Sequence, residues 1–243
     1  MISIKSIYAA DKKLKENVRE TPLVSSPFLD EIAGRRVLIK AECLQHTGSF
    51  KFRGAWSAIS ALEIEKQKKG VITYSSGNHA QGIAAVAEFF SCPSLIIMPS
   101  DAPKLKIENT KSYGAEVILY SRSKESREDI GISIAKNRGL TLIKPYDDEK
   151  VIAGQGTLGL ELASQLSKYS LQDADVLVCC GGGGLTAGVA LALAEAAPNL
   201  RVRPCEPEYY DDTSRSLKSG KREVNIGYYK SICDAILTPT PGE

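Results

Sequence analysis

The sequence predicts an α/β fold of two doubly wound units with mostly parallel sheet. Two observations carry this. From residue 37 onward, short apolar, β-rich runs alternate with helical stretches of ten or more residues, which is the signature of βαβ units. Late in the chain, Asp175-Val-Leu-Val-Cys-Cys runs straight into four glycines and then a small, apolar helical stretch. That is a buried strand, a tight loop and a helix.

Taken in order, an opening helix is expected over 4–17, then Thr21-Pro22-Leu23 as an extended entry. Strands are expected at 37–41, 71–74, 95–98, 116–120, 140–143, 176–180 and 200–205. Between them lie helical patterns at 49–66, 78–90, 104–113, 125–138, 154–166 and 185–196, with a further short helix at 212–218. Three successive strand–turn–helix units between Val71 and Ile143 predict a smaller domain over 48–145. Residues 1–47 and 146–243 then form a larger one, and Lys144-Pro145-Tyr146-Asp147-Asp148 is the crossing point.

Composition bounds the function classes. The chain has 243 residues, 43% hydrophobic and 25% charged, as in a water-soluble globular protein. A net charge of +2 gives no electrostatic footprint for nucleic acid or an acidic membrane surface. No apolar run approaches the ~20 residues of a membrane span. The N-terminus lacks a basic region followed by an apolar one, so no secretory signal is expected. Six cysteines occur without a CxxC pair, and Cys179, Cys180 and Cys205 fall in apolar strand-like segments. A reduced, cytoplasmic protein is expected. His46 and His79 share no metal-binding spacing.

Three segments carry chemistry. Gly181, Gly182, Gly183 and Gly184, followed by Leu185, cost conformational entropy on folding. Without Cβ atoms their N–H groups can converge on an anion at a helix N-terminus, where the helix dipole is favourable. A P-loop needs Gly-Lys-[Ser/Thr], and Leu185-Thr186 offers no lysine. A dinucleotide site wants its glycines in the first βαβ unit, and this unit comes last, although Glu206 stands at the acidic spacing. A merely tight strand–helix turn is the remaining reading, so the glycines alone leave the ligand open.

The second segment, 47–55, reads Thr-Gly-Ser-Phe-Lys-Phe-Arg-Gly-Ala, a turn running into a helix. Taken alone, Lys51 is a surface lysine; desolvated, it is an imine-forming nucleophile, and Phe50 can cover a planar group. The third, Ser75-Ser76-Gly77-Asn78-His79, follows a strand and opens a helix, which suits a carboxylate as well as a simple cap. An amine anchor, a carboxylate loop and a phosphate cradle together point to pyridoxal phosphate chemistry.

The three segments, with Pro99-Ser100-Asp101-Ala102-Pro103-Lys104, Gly114-Ala115-Glu116-Val117 and Val151-Ile152-Ala153-Gly154-Gln155-Gly156-Thr157, resemble the serine/threonine dehydratase and serine racemase family over residues 7–243. The resemblance implies the tryptophan-synthase-β-like pyridoxal phosphate fold. Lys51 would bind the cofactor and remove the Cα proton. Phe50 would pack on its ring and Asn78 would bond its phenolic oxygen. Gly181 to Gly184 with Leu185 would hold its phosphate. Ser75, Ser76, Asn78 and His79 would grip the substrate carboxylate, with Ser76 the opposite-face acid/base of the racemases. Glu206, Tyr210 (through its carbonyl) and Asp212 match a divalent-cation site for Mg²⁺ or Ca²⁺; a capped acidic turn is the alternative. The implied reaction is elimination from L-serine or L-threonine to a 2-oxo acid and ammonia, with racemisation or hydroxyaspartate dehydration as alternatives, in a possible homodimer. Chains of that family continue past Pro241-Gly242-Glu243 and carry a Ser-Gly-Gly-Asn-like partner for the pyridine nitrogen, which is absent here. The larger domain is therefore expected to be incomplete at its C-terminus, in a fragment, an inactive relative or a chain completed by a partner.

Overall fold

In the computed structural model, which describes residues 2–227 and 229–243, two parallel sheets are joined through a layer of helices. The first has four strands in the order β5-β4-β3-β6: β3 (Val71–Tyr74), β4 (Ser94–Pro99), β5 (Glu116–Tyr120) and β6 (Thr141–Leu142). All three pairings are parallel, with Ile72 beside Leu95 and Ile96 beside Val117. Alternate residues of the central strands serve opposite faces. Val71, Ile96 and Met98 join one core with Ile83 and Val86 of α5 (Asn78–Phe89). Ile72, Tyr74, Leu95 and Ile97 join another, against Ile130 and Ile134 of α7 (Arg127–Arg138). α6 (Lys104–Ser112) connects β4 to β5.

The second sheet pairs β7 (Ala174–Cys179) with β8 (Leu200–Cys205), Val176 beside Val202 and Cys179 beside Cys205. α9 (Gly184–Ala196) crosses between them. The fold class read from the alternation is thus the observed one.

α8 (Glu149–Lys168) lies at the centre of the molecule, against α1 (Ile4–Leu14), α3 (Lys51–Ser60) and α9. It starts five residues earlier than the sequence predicts. Asp148 caps it, its carboxylate accepting from the N–H groups of Lys150 at 2.8 Å and Val151 at 3.1 Å. Glycine makes the close helix crossing possible. A Cβ on Gly188 would stand 2.5 Å from the Ile152 carbonyl and 2.7 Å from the Gly156 nitrogen, and one on Gly159 would stand 2.8 Å from the Ala192 methyl.

Other boundaries differ for identifiable reasons. The expected 49–66 helix is two, α3 and α4 (Ile64–Lys69). Glu63 is extended, and the Gln67 amide donates to the Ile59 and Leu62 carbonyls at 3.0 and 3.2 Å, tying α4 back to the turn that ends α3. α2 (Pro27–Ala33) was not expected, although Pro27 at its first turn and left-handed Gly34 at its end are its punctuation. The expected 37–41 strand shrinks to β2 (Ile39–Lys40), antiparallel to β1 (Leu23–Val24). The short helix closing the chain's acidic turn is α10 (Asp212–Ser219).

Gly188→Ala is expected to destabilise the fold by about 1–3 kcal/mol, because the helices must separate to admit one methyl. Chemical denaturation checks this, with the exposed Ala187→Ser as a control expected near zero.

Candidate active site

The site is organised around the first turn of α3. Arg53, almost wholly buried, extends its guanidinium toward Glu42 in the 3₁₀ turn Glu42–Leu44, with Nε to Oε2 at 2.9 Å and Nη2 to Oε1 at 2.8 Å. Nη2 also pairs with Oε2 of Glu161 on α8 at 2.9 Å. The ammonium of Lys40 pairs with the same Glu161 and donates to the Thr21 carbonyl at 2.6 Å and the Gln165 side chain at 2.9 Å. Two cations and two carboxylates thereby compensate one another inside the protein. Around them the backbones touch. A Cβ on Gly154 of α8 would overlap the Arg53 carbonyl, and one on Gly82 of α5 would lie 3.3 Å from the Lys51 carbonyl.

Lys51 opens α3 and turns the other way. Its Nζ donates to the Pro145 carbonyl at 2.6 Å and sits 5.4 Å from the centre of the Phe50 ring. Burial pulls its pKa from the ordinary lysine value of 10.5 down to about 8, with the Cys179 thiol pulling slightly upward. Among the described residues no carboxylate contributes to that shift. From α5, His79 is buried nearby, held well below the ordinary imidazole range by burial first and by Lys51 second.

The segment 75–79 links β3 to α5. Its Ser75 N–H donates to the Ile97 carbonyl at 3.0 Å, and the Ser75 hydroxyl accepts from the Gly77 N–H at 3.2 Å. Ser76 and Asn78 are half-buried. Gly77 leaves room for Lys106, whose Nζ would stand 3.1 Å from a Cβ there; the same ammonium lies 4.0 Å from Asp234.

The glycine loop follows β7, which Cys180 extends by donating to the Cys205 carbonyl at 2.8 Å. Gly183, with φ +88°, caps α9 in a conformation that favours glycine. The Tyr146 ring lies directly on Gly182, where any Cβ would overlap it, and a Cβ on Gly184 would come within 2.6 Å of the Tyr146 carbonyl. Ile236 closes the other side, 3.1 Å from a Cβ on Gly181. Leu185 and Phe50 are half-buried and pack on the same apolar cluster. The first-turn N–H groups of α9 have no partner within the helix and carry its positive dipole end.

Pro145 and Tyr146 therefore join two sequence-predicted groups: one residue accepts from Lys51 and the next covers the glycine loop. The 75–79 loop enters through α5. Glu206, Tyr210 and Asp212 form a separate cluster. Both oxygens of Glu206 cap α10, accepting from Thr213 and Ser214 N–H at 2.8 and 2.9 Å. Asp212 Oδ1 accepts from Asn225 at 2.5 Å, its Oδ2 is buried without a partner among the described residues, and burial raises its pKa. Among the described residues no three His, Cys, Asp or Glu side chains gather as metal ligands. Tyr146 and Lys106 were not singled out from sequence. The Pro-Tyr step ahead of the capping Asp148 was the available signal for the first; nothing local marks the second.

The chain can be placed among known proteins. The family model described as pyridoxal-phosphate dependent enzyme matches residues 14–243. L-threo-3-hydroxyaspartate ammonia-lyase of Saccharomyces cerevisiae is 44% identical over 234 residues, 96% of this chain and 70% of the relative. Serine racemase of Arabidopsis thaliana is 41% identical over 233 residues, 96% of this chain and 69% of the relative. L-threonine ammonia-lyase of Thermotoga maritima is 38% identical over 243 residues, the whole of this chain and 59% of the relative. A crystal structure of threonine deaminase from T.th. superposes with a TM-score of 0.93 at 41% identity, covering 99% of this chain and 77% of that one.

A buried lysine with pKa near 8 binds fewer protons than the unfolded chain between about pH 8 and 10.5, so stability rises with pH across that window. Lys51→Met should therefore be more stable than the parent chain at pH 7, by up to about 3 kcal/mol, since each pH unit separating the folded and unfolded values is worth about 1.36 kcal/mol. The difference should shrink as pH approaches 10.5. Denaturation curves at pH 7 and pH 10 test it; a variant less stable at both would show that the Pro145 contact outweighs the desolvation.

Proposed function

The chain belongs to the pyridoxal-phosphate dependent enzymes, among amino-acid ammonia-lyases and racemases, and we propose that it is built for the deamination of L-serine or L-threonine, in which the β-hydroxyl leaves as water and hydrolysis returns one water, for a net yield of 2-oxo acid and ammonia. The observation that supports this most is the Lys51 amine, buried, bonded to a carbonyl and not to a carboxylate, and joined through Pro145-Tyr146 to the glycine loop.

The residues fit the cofactor. The loop 181–184 offers glycine N–H groups to a phosphate where side chains would collide with Tyr146 and Ile236, and Lys51 supplies an amine that is about one-tenth unprotonated at pH 7 from its pKa near 8. Bound pyridoxal phosphate supplies an electron sink that makes the substrate Cα–H acidic. In this reading Lys51 Nζ would hold the cofactor and would accept that proton from the substrate. Phe50 would pack beside the ring, Asn78 would bond its phenolic oxygen, and Leu185 would complete the phosphate loop. Ser75, Ser76, Asn78 and His79 hold the substrate carboxylate at the α5 N-terminus. Desolvation serves Lys51 twice, exposing a nucleophilic lone pair and leaving a base of moderate strength.

A second reading, a 3-hydroxyaspartate lyase, draws on one further observation. Lys106 places an ammonium against Gly77 at the carboxylate loop, where it suits a substrate with a second acid group. Lys106→Met should then raise KM for L-threo-3-hydroxyaspartate at least fivefold and leave KM for L-threonine within twofold; equal effects on both would remove this reading. Ser76, half-buried in the same loop, keeps racemisation open as a variant of the same chemistry. The buried, unpartnered oxygen of Asp212, with Glu206 and the Tyr210 carbonyl, is proposed to hold Mg²⁺ or Ca²⁺.

Added pyridoxal phosphate should give a visible absorption band that free pyridoxal phosphate lacks and that is lost in Lys51→Ala, with 2-oxo acid appearing on addition of L-serine or L-threonine. A folded protein that shows no band would sink the proposal.

A further inference from the structure

We propose that Arg53 is the positioning residue for Lys51: its buried ion pairs set the rotation of the first turn of α3, and that rotation aims the amine into the cleft. This rests on the reading of Lys51 as the cofactor-binding amine.

Successive residues of an α-helix are 100° apart, so residues two apart point to nearly opposite sides. Lys51 reaches Pro145 on one side of α3. Arg53 reaches Glu42 and Glu161 on the other, through two bonds to the first carboxylate and one to the second. Nη1 donates to the Thr157 hydroxyl at 3.4 Å, and Nη2 also lies 3.5 Å from the Arg19 carbonyl. A guanidinium fork is planar and directional, so it resists turning of the helix about its axis.

The glycine contacts act one residue further on. Gly54 of α3 faces α8, where a Cβ would overlap the Gln155 side chain and lie 2.9 Å from Val151, and Gly154 and Gly82 set how closely α8 and α5 approach; the fork adds a directional hold at the first turn itself. Both partners of the fork are themselves held. Thr21 donates its hydroxyl to Glu42 at 2.6 Å, and Lys40 pairs with Glu161. The frame is therefore tied to β2, α8 and the Glu42–Leu44 turn.

A lysine can replace the charge of Arg53 but not its fork. In Arg53→Lys the first turn loses that directional hold, and the Lys51 amine moves out of its desolvated contact with Pro145. The groups whose charges reach Lys51 are Cys179 from β7 and His79 from α5, and neither is altered by the substitution.

The experiment is competitive acetylation of Lys51 across pH 6–11, read by mass spectrometry on the full chain. The parent protein should show a midpoint near pH 8. Arg53→Lys should raise it by one pH unit or more, which is about tenfold less free amine at pH 7. Ile59→Ala, in the buried part of α3 two turns further on, should lower Tm without moving the midpoint, so lost stability alone does not mimic the effect. Should Arg53→Lys fail to fold, Glu42→Gln keeps the guanidinium and weakens its frame, and the same rise is expected. An unmoved midpoint in the folded variant overturns the inference, as does an equal rise in Ile59→Ala. A parent chain with a midpoint near 8 that gives no band with pyridoxal phosphate would instead strike the functional proposal and leave the positioning role standing.

Discussion

The buried pairing of Arg53 and Lys40 with Glu42 and Glu161 is the interaction on which the rest of the molecule depends. Buried ion pairs are poor sources of net stability, since desolvation offsets much of the attraction. Their effect is directional: loss of one partner leaves an uncompensated charge, which costs about 3–5 kcal/mol, so few arrangements of the surrounding elements are tolerated. Here those elements are β2, the Glu42–Leu44 turn, α3 and α8. The first three lie within residues 39–60 and α8 lies far along the chain, and the ion pairs fix the two stretches relative to one another.

Glycine supplies the second constraint. Where α8 meets α3 and α9, the usual interdigitation of side chains is replaced by backbone contact at Gly154, Gly156, Gly159 and Gly188. Backbone contact leaves little freedom in spacing. α8 is thus a rigid spacer between α3, which carries Lys51, and α9, which carries the glycine loop. The separation of amine and loop is set by three helices in close contact, and Pro145-Tyr146 runs across the gap. A site built on packed helix termini keeps its geometry better than one built on free loops.

Much of this was legible in the sequence. Alternation of apolar runs with helical stretches revealed the parallel sheets, because buried parallel strands such as Val71–Tyr74 and Ser94–Pro99 are continuous apolar runs. Lys51, the 75–79 loop and the four glycines stood out because their residue types are unusual at such positions. What escaped were features set by long-range contact. The break between α3 and α4 depends on the Gln67 side chain reaching back to Ile59, and no glycine or proline marks it. Tyr146 acquires its place only when β6 delivers the chain to Gly182. Arg53 was visible merely as a cation near Lys51, whereas the fold turns it away and pairs it elsewhere. Glu206 and Asp212 were legible as an acidic cluster with a capped turn as its alternative reading, and the structure shows Glu206 as that cap on α10.

The two faces of α3 complete the electrostatic logic. A lysine buried beside a carboxylate would keep its proton, because the ion pair favours the charged form. Lys51 is buried with a carbonyl for a partner, and its pKa falls. Two carboxylates do stand close to the same helical turn, yet both are bound to Arg53 on the opposite side and balanced by Lys40. The network that orients the turn thus also neutralises the two acids on that side of it. Replacing either carboxylate changes the orientation; freeing one without its cation would place a negative charge within reach of the amine and raise its pKa. Aim and basicity of Lys51 consequently have a common origin in the packing of Arg53, so neither can be altered by substitution there without altering the other.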